Sequence, residues 1–198
     1  METLRRAIGE RRPRELEARA GRAAVALVFA GFPDDLALCL IQRVTRGGDP
    51  WSGQMALPGG RAEDHDGTPR DVAERETLEE VGLDLATAEF LGPLDELYIR
   101  HSGRVTRDVL SPFGYYAGDV LPELHPCRDE VAAAFWVPVR HIWDRANWTS
   151  FDWKRGGKPV RLPGIAYKGK VIWGLTYMIL MSLGEAAGTL LPSEVAAR

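Results

Sequence analysis

The apolar residues fall into short runs separated by turn chemistry. Residues 22–30 (RAAVALVFA) and 36–43 (LALCLIQR) are aliphatic stretches of strand length, parted by Gly31-Phe32-Pro33-Asp34-Asp35. Two such runs around a Gly/Pro/Asp cluster predict a β-hairpin. From Val44 to Gly60 the composition turns to Gly, Pro, Asp and Ser, and a long polar loop inside a compact domain calls for a functional explanation. Thr68, Pro69 and Asp71 then supply a cap, a first-turn proline and an acid three residues after the cap. They predict a helix over 69–81 that stops at Gly82. Residues 88–98, 104–116 and 132–139 are rich in aromatic and β-branched side chains and predict strands. Residues 140–144 predict a short helix, 151–167 a turn-rich stretch with weak strands, and 172–183 a closing helix. This mixed order, without regular β-α alternation, indicates an α+β fold with a mixed sheet between helices.

Composition narrows the picture. The chain has 198 residues, 45% hydrophobic and 27% charged, enough for one core. The reading is a single domain over 1–198, with an N-terminal surface helix at 1–21, a core at 22–184 and a C-terminal tail at 185–198. Twenty-five basic against 28 acidic residues give a net charge of −3, without the basic excess of a nucleic-acid binder. Cys39 and Cys127 lack metal-type spacing and read as buried small apolar groups. Residues 1–22 carry both signs of charge and no apolar leader, so a cytoplasmic location is expected. The apolar run 171–183 falls well short of the roughly 20 residues of a membrane span, and reads as a buried helix.

The predicted helix 69–81 breaks two local rules. Glu76, Glu79 and Glu80 sit at i, i+3 and i+4, about 5–6 Å apart on one face, where like charges repel. They also crowd its C-terminal half, where the helix dipole prefers cations. A solvated polar face and a divalent-cation site are both open readings, since hard carboxylate oxygens suit Mg²⁺, Mn²⁺ or Ca²⁺. The turn Leu57-Pro58-Gly59-Gly60-Arg61 just before the helix favours the second, because two glycines let the backbone approach a ligand and aim a carbonyl at it.

Residues 60–83, GRAEDHDGTPRDVAERETLEEVGL, resemble the signature of the Nudix hydrolases: a glycine, an acid, then Arg-Glu-x-x-Glu-Glu-x-Gly-aliphatic. Asp66 replaces the usual glutamate, Thr77 stands where an aliphatic residue is usual, and the span from Gly60 to Arg75 is one residue longer than the general pattern. That lengthened loop, with Glu63 and Asp66 in it, is similar to the coenzyme A diphosphatase branch of the family. So are Ser52-Gly53-Gln54-Met55-Ala56-Leu57-Pro58-Gly59-Gly60 and Ile172-Trp173-Gly174-Leu175-Thr176, whereas VTRGGDPW after Arg43 departs from the branch's spacing.

The resemblance implies a Nudix-type mixed sheet sandwiched between helices (α/β/α). It implies that Mg²⁺ or Mn²⁺ is held by the Gly60 carbonyl with Glu76, Glu79 and Glu80, and that Arg75 orients the glutamates. The proton of the attacking water goes to Glu79 or to Glu130, an acid outside the helix. Arg43, Arg46 and Arg61 flank the glycine turn, where arginine can clamp phosphate; Ser52 and Gln54 either contact substrate or stabilise the loop. His65, His101, His125 and His141 share no spacing, and Trp51, Phe113, Tyr115 and Tyr116 read as packing groups rather than a base-stacking platform. The expected reaction is hydrolysis of a nucleoside diphosphate derivative, coenzyme A or acyl-CoA giving 3′,5′-ADP and 4′-phosphopantetheine. Diphosphatases of ADP-ribose, nucleotide sugars or dinucleotides and a non-catalytic nucleotide-sensing module are the alternatives. The resemblance leaves homodimerisation open.

Overall fold

The structure, a computed structural model, describes residues 1–18, 21–47, 52–101, 104–155 and 158–188. Its central strand is β1 (Arg22–Ala30), which reads as a continuous apolar run because it is buried on both faces. It pairs in parallel with β7 (Arg104–Tyr116) from Arg22↔Val109 to Phe29↔Tyr116, the setting in which strands lose their polar alternation. The hairpin partner β2 (Ala37–Arg43) meets β1 antiparallel only at Phe29↔Leu38 and Ala30↔Ala37. Beyond that point the two strands part. The N-terminal half of β1 pairs instead with β4 (Gly59–Arg61), and the far end of β2 with β3 (Met55–Ala56). This divergence places the Gly59-Gly60 turn at the middle of the sheet. The strands β5 (Glu89–Pro93) and β6 (Leu97–His101) flank β7, while β8 (Val131–Pro138) runs along β2.

Side-chain alternation sends the two faces of β1 into different cores. Ala24, Ala26 and Val28 join Cys39, Ile41, Val131 and Tyr115 under the helix α2 (Pro69–Val81). Leu27 and Phe29 join Leu38, Leu40 and Met55 beneath α1 (Glu2–Gly9) and α4 (Gly174–Ala186), and the short helix α3 (Val139–Trp143) adds Ile142 to this core. The α+β fold, a mixed sheet between helices, is as expected. Phe113, Tyr115 and Tyr116 are packing groups, with the Tyr115 hydroxyl on Glu74 at 3.0 Å and the Tyr116 hydroxyl on the Gly31 carbonyl at 3.2 Å; Trp51 lies outside the described residues.

Four expectations are corrected. The N-terminal helix ends at Gly9 and is not merely solvated, since Leu4, Ala7 and Ile8 are buried. The segment after it is irregular and held by side chains, Asp95 accepting the Arg14 N–H at 2.8 Å and Glu96 the Leu16 N–H at 2.6 Å. The stretch 151–167 is no weak tract of turns: β9 (Trp148–Arg155), β10 (Lys158–Tyr167) and β11 (Lys170–Trp173) form a regular antiparallel sheet. Its signal was masked by Gly164, where a Cβ would lie 2.5 Å from Val171 and 2.9 Å from the Ile172 carbonyl, so the glycine is what lets β11 lie close on β10; Trp173 of β11 stacks on Phe151 of β9 at 4.4 Å. The apolar run 171–183 divides into the end of β11 and α4, a helix buried along one stripe, with Met178 exposed on the other side. Cys39 is buried as expected, but Cys127 is exposed. No helix of the described residues is long and apolar enough to cross a membrane.

Candidate functional site

Helix α2 is pinned at both ends by its own sequence. Thr68 Oγ1 accepts the Asp71 N–H at 3.2 Å, and Asp71 Oδ2 accepts the Thr68 N–H at 2.8 Å, a reciprocal cap that satisfies two orphan donors. Gly82 closes the other end at φ 73°, its N–H bonded to the Leu78 carbonyl at 2.9 Å. Between these ends Val72, Ala73, Thr77 and Val81 are buried. The Thr77 hydroxyl, where an aliphatic group was usual, donates to the Ala73 carbonyl at 2.6 Å and so enters the core satisfied. With register and depth fixed, the helix presents Glu76 and Glu80 toward the glycine turn.

The first cluster surrounds Arg75. Its Nε and Nη2 donate to the two carboxylate oxygens of Asp66 at 3.0 Å each, and Nη2 also reaches the Arg61 carbonyl at 3.2 Å. Nη1 lies 3.0 Å from Glu79 Oε2 and 3.1 Å from Glu76 Oε1. One guanidinium thus ties the lengthened loop to the helix and holds two of its four glutamates. The Asp66 side chain is only 3% exposed, and the Arg75 hydrogen bonds hold its carboxyl below the usual range. Asp66 in turn raises the Arg75 guanidinium.

The second cluster gathers around Glu80. Glu80 is 2% exposed, and its Oε2 accepts the Gly59 N–H at 2.8 Å. Gly59 stands at φ 147°, where a Cβ would lie 2.2 Å from the Ala24 carbonyl oxygen, so only glycine fits. At Gly60 a Cβ would lie 2.2 Å from Glu76 Oε1; the bare backbone is what admits that carboxylate. Glu130, just before β8, completes the group: Glu76, Glu80 and Glu130 each bring a carboxylate oxygen within 4.8 Å of the other two. Burial pushes the Glu80 carboxyl up to about 8, with Glu76 and Glu130 adding to the rise while the Gly59 N–H and Arg43 oppose it. Burial raises Glu76 as well, against the pull of Arg75. Three hard anionic donors forced together repel, and either protons or a divalent cation relieves them. Glu79 stands apart from this trio. Its side chain is 57% exposed and engaged with Arg75.

A NUDIX domain model matches residues 20–155. The chain belongs to the NUDIX family. It is 29% identical to the Nudix hydrolase NudL of Yersinia enterocolitica, over 87% of this chain and 85% of that protein. It is also 44% identical to an uncharacterised protein of Schizosaccharomyces pombe, over 52% of this chain but only 32% of that protein's length. Among solved structures, a Nudix hydrolase from M. smegmatis aligns over 90% of this chain and 92% of its own, at 19% identity and TM-score 0.52. An Ap4A hydrolase from C. elegans aligns over 61% and 82%, at 14% identity and TM-score 0.50. These likenesses establish the Nudix fold. The family is that of the Nudix hydrolases, whose members act on nucleoside diphosphate derivatives with the help of divalent ions.

Within this Nudix domain the expected site residues separate. Arg75, Glu76, Glu79, Glu80, Gly60 and Glu130 converge. Arg43 comes near enough for its charge to act on Glu80, and its N–H donates to the Gln54 carbonyl at 3.0 Å. Arg61 is placed otherwise. Since Gly60 faces Glu76, strand alternation turns Arg61 to the opposite side of β4, where its guanidinium lies 3.8 Å from Asp108. Ser52 and Arg46 engage each other, the Arg46 N–H donating to Ser52 Oγ at 2.6 Å. Two features were not foreseen, the Gly59 N–H on Glu80 and the clamp of Asp66 on Arg75. The first has no signal in side-chain chemistry. The second was visible only as an acid placed nine residues before an arginine, across a loop of unspecified path.

Proposed function

We propose that this Nudix hydrolase is a divalent-metal-dependent diphosphatase that cleaves coenzyme A or its thioesters to 3′,5′-ADP and the 4′-phosphopantetheine portion. The observation that carries the metal-dependent chemistry is the convergence of Glu76, Glu80 and Glu130 beside a turn that only glycine can form at Gly59 and whose bare backbone at Gly60 admits the Glu76 carboxylate. The choice of coenzyme A is supported by the lengthened loop 60–75 with Glu63 and Asp66, and by the block 52–60.

The donor set fits Mg²⁺ or Mn²⁺: Glu76, Glu80 and Glu130 supply carboxylate oxygens, the Gly60 carbonyl adds a neutral one, and Glu79 borders them. A divalent ion bound there would supply positive charge to the diphosphate and acidify a water. The protein groups do the rest. Arg75 holds Glu76 and Glu79 in place through Asp66, so neither carboxylate must be ordered when substrate arrives. Glu79, exposed and one helical turn from Glu76, takes the proton of the water as its oxygen attacks phosphorus. The bridging P–O bond breaks, and its electron pair leaves with the second phosphate. Arg43 lends positive charge to the phosphates.

The test is phosphorus NMR and chromatography of coenzyme A incubated with the protein and Mg²⁺ or Mn²⁺, with chelator controls and ADP-ribose in parallel. Metal-dependent release of 3′,5′-ADP is the expected result. Intact coenzyme A with turnover of ADP-ribose would overturn the substrate and keep the chemistry. No turnover of any nucleoside diphosphate derivative, with tight nucleotide binding by calorimetry, would make the domain a sensor.

A further inference from the structure

Glu76 and Glu80 ride on a rigid capped helix, but Glu130 stands on an exposed turn. Its carboxylate can join theirs only if the turn itself is held. One side of that turn is tied to α2: the His125 N–H donates to the Val81 carbonyl at 2.8 Å and the Cys127 N–H to the Glu80 carbonyl at 3.0 Å, capping two carbonyls at the helix end. The Glu130 N–H closes the turn on the Cys127 carbonyl at 3.0 Å. The other side is tied to the chain leaving β2. There the β2–β8 register slips between Gln42 and Arg43, which opposes Val131 instead of Ala132. The Val44 N–H donates to the Glu130 carbonyl at 2.9 Å, and Arg46 Nη2 donates to the Asp129 carbonyl at 2.5 Å. Arg46 is itself fixed through its N–H on Ser52 Oγ at 2.6 Å. The guanidinium therefore ends on the peptide next to Glu130.

Building on the assignment of Glu130 to the metal trio above, we propose that Arg46 and Ser52 are positioning residues that act through Glu130, rather than ligands of the substrate phosphates. Ser52 Oγ holds the Arg46 backbone, Arg46 holds the Asp129 carbonyl, and the Glu130 carboxylate is thereby kept within reach of Glu76 and Glu80. Supporting groups of this kind tune metal affinity and turnover without touching substrate. A phosphate clamp would instead show itself in substrate binding.

The test measures Mn²⁺ affinity by paramagnetic resonance on the full chain without substrate, then kcat, KM and the Mn²⁺ dependence of turnover, for Arg46→Ala, Ser52→Ala, Glu130→Gln and the double variant Arg46→Ala/Glu130→Gln. Arg46→Ala is expected to weaken Mn²⁺ binding and lower kcat by about tenfold each with KM within about twofold of wild type, and Ser52→Ala to do the same by about threefold. Arg46→Lys, which can still donate to the Asp129 carbonyl, should recover part of the loss. In the Glu130→Gln background the loss of Arg46 should add nothing, because two residues acting through one group are not additive. A raised KM with unchanged Mn²⁺ affinity, or full additivity with Glu130→Gln, would overturn the proposal in favour of a phosphate ligand. Unchanged Mn²⁺ affinity in Glu130→Gln would overturn it too, leaving nothing to position, while coenzyme A hydrolysis by wild type would still stand. If coenzyme A is not cleaved at all, the functional reading fails, yet the Mn²⁺ titrations still decide the role of Arg46. A fall in melting temperature that tracks the loss of Mn²⁺ affinity in Arg46→Lys as in Arg46→Ala would mark the contact as structural and defeat the proposal.

Discussion

Two groups of carboxylates around one helix live under opposite electrostatic conditions. Around Arg75 the charges close on themselves: Asp66 is bidentate, Glu79 and Glu76 are paired, and the Asp66 carboxyl is held low by its cation. One turn further on, Glu80 is buried and accepts the Gly59 N–H, Glu76 and Glu130 crowd it, and its carboxyl is driven up to about 8. The first group has the composition of a scaffold, complete without a ligand. The second is a cost that folding alone does not repay, and a protein carries such a cost where a ligand offsets it. Glu76 belongs to both and couples them.

Breaking the second group should have the largest consequence. Glu80→Gln keeps an acceptor for the Gly59 N–H and removes the ionisable carboxyl, so activity is expected to fall by about 100-fold or more while the melting temperature holds or rises. Unchanged turnover would reduce the acidic face to a solvated one.

The same group should also write itself into the pH dependence of stability. The folded chain keeps a proton on Glu80 up to about pH 8, whereas the unfolded chain releases it near about pH 4.3. Between those values the native state binds more protons, so metal-free stability falls as pH rises, by a few kcal/mol at most. Denaturant titrations at intervals across that window would show the slope, and Glu80→Gln should flatten it. Saturating Mg²⁺, which binds the deprotonated form, should stabilise most at the alkaline end.

Gly60→Ala sharpens the contrast from the backbone side. Its Cβ would strike only the tip of Glu76, which can move, so the fold should survive while activity drops by about 10- to 100-fold. Gly59→Ala meets the Ala24 carbonyl and the Val25 backbone instead, and its loss should appear as unfolding in a thermal melt.

On the Arg75 side the effects should be smaller and mainly on stability. Asp66→Asn removes a charge-assisted pair from a side chain that is 3% exposed, and is expected to cost about 1–3 kcal/mol, with the larger part of activity retained. Because the wild-type carboxyl is held low, this contribution is present above about pH 4 and is lost below it as Asp66 protonates. A wild-type acid unfolding midpoint no lower than that of Asp66→Asn would count against the clamp. Smallest of all is Arg61→Ala. Its guanidinium is largely exposed and 3.8 Å from the buried Asp108, whose carboxylate keeps the Gly21 N–H when Arg61 is lost, so the change should cost about 1 kcal/mol or less and leave kcat/KM unaltered.

The chain wrote its local decisions plainly. Thr68, Pro69, Asp71 and Gly82 state the limits of α2, because caps and stops act through neighbours in sequence, and the periodicity of Glu76, Glu79 and Glu80 states their shared face. Gly59 and Gly60 announce a close approach without naming what approaches. Tertiary structure alone decided the rest. It chose Glu130 as the third carboxylate over Glu79, since that depends on how a turn before β8 docks on the end of α2. It sent Arg61 to Asp108 and Arg46 to the Asp129 carbonyl, since flexible arginines go where partners 47 and 83 residues away are brought. It also formed β9 to β11 from a stretch whose glycine and prolines argue against strands, because pairing and the Phe151–Trp173 stack across Gly164 outweigh propensity. Local chemistry is fixed by residues a few positions apart; which charges are compensated, and which are left for a ligand, is fixed only when distant segments meet.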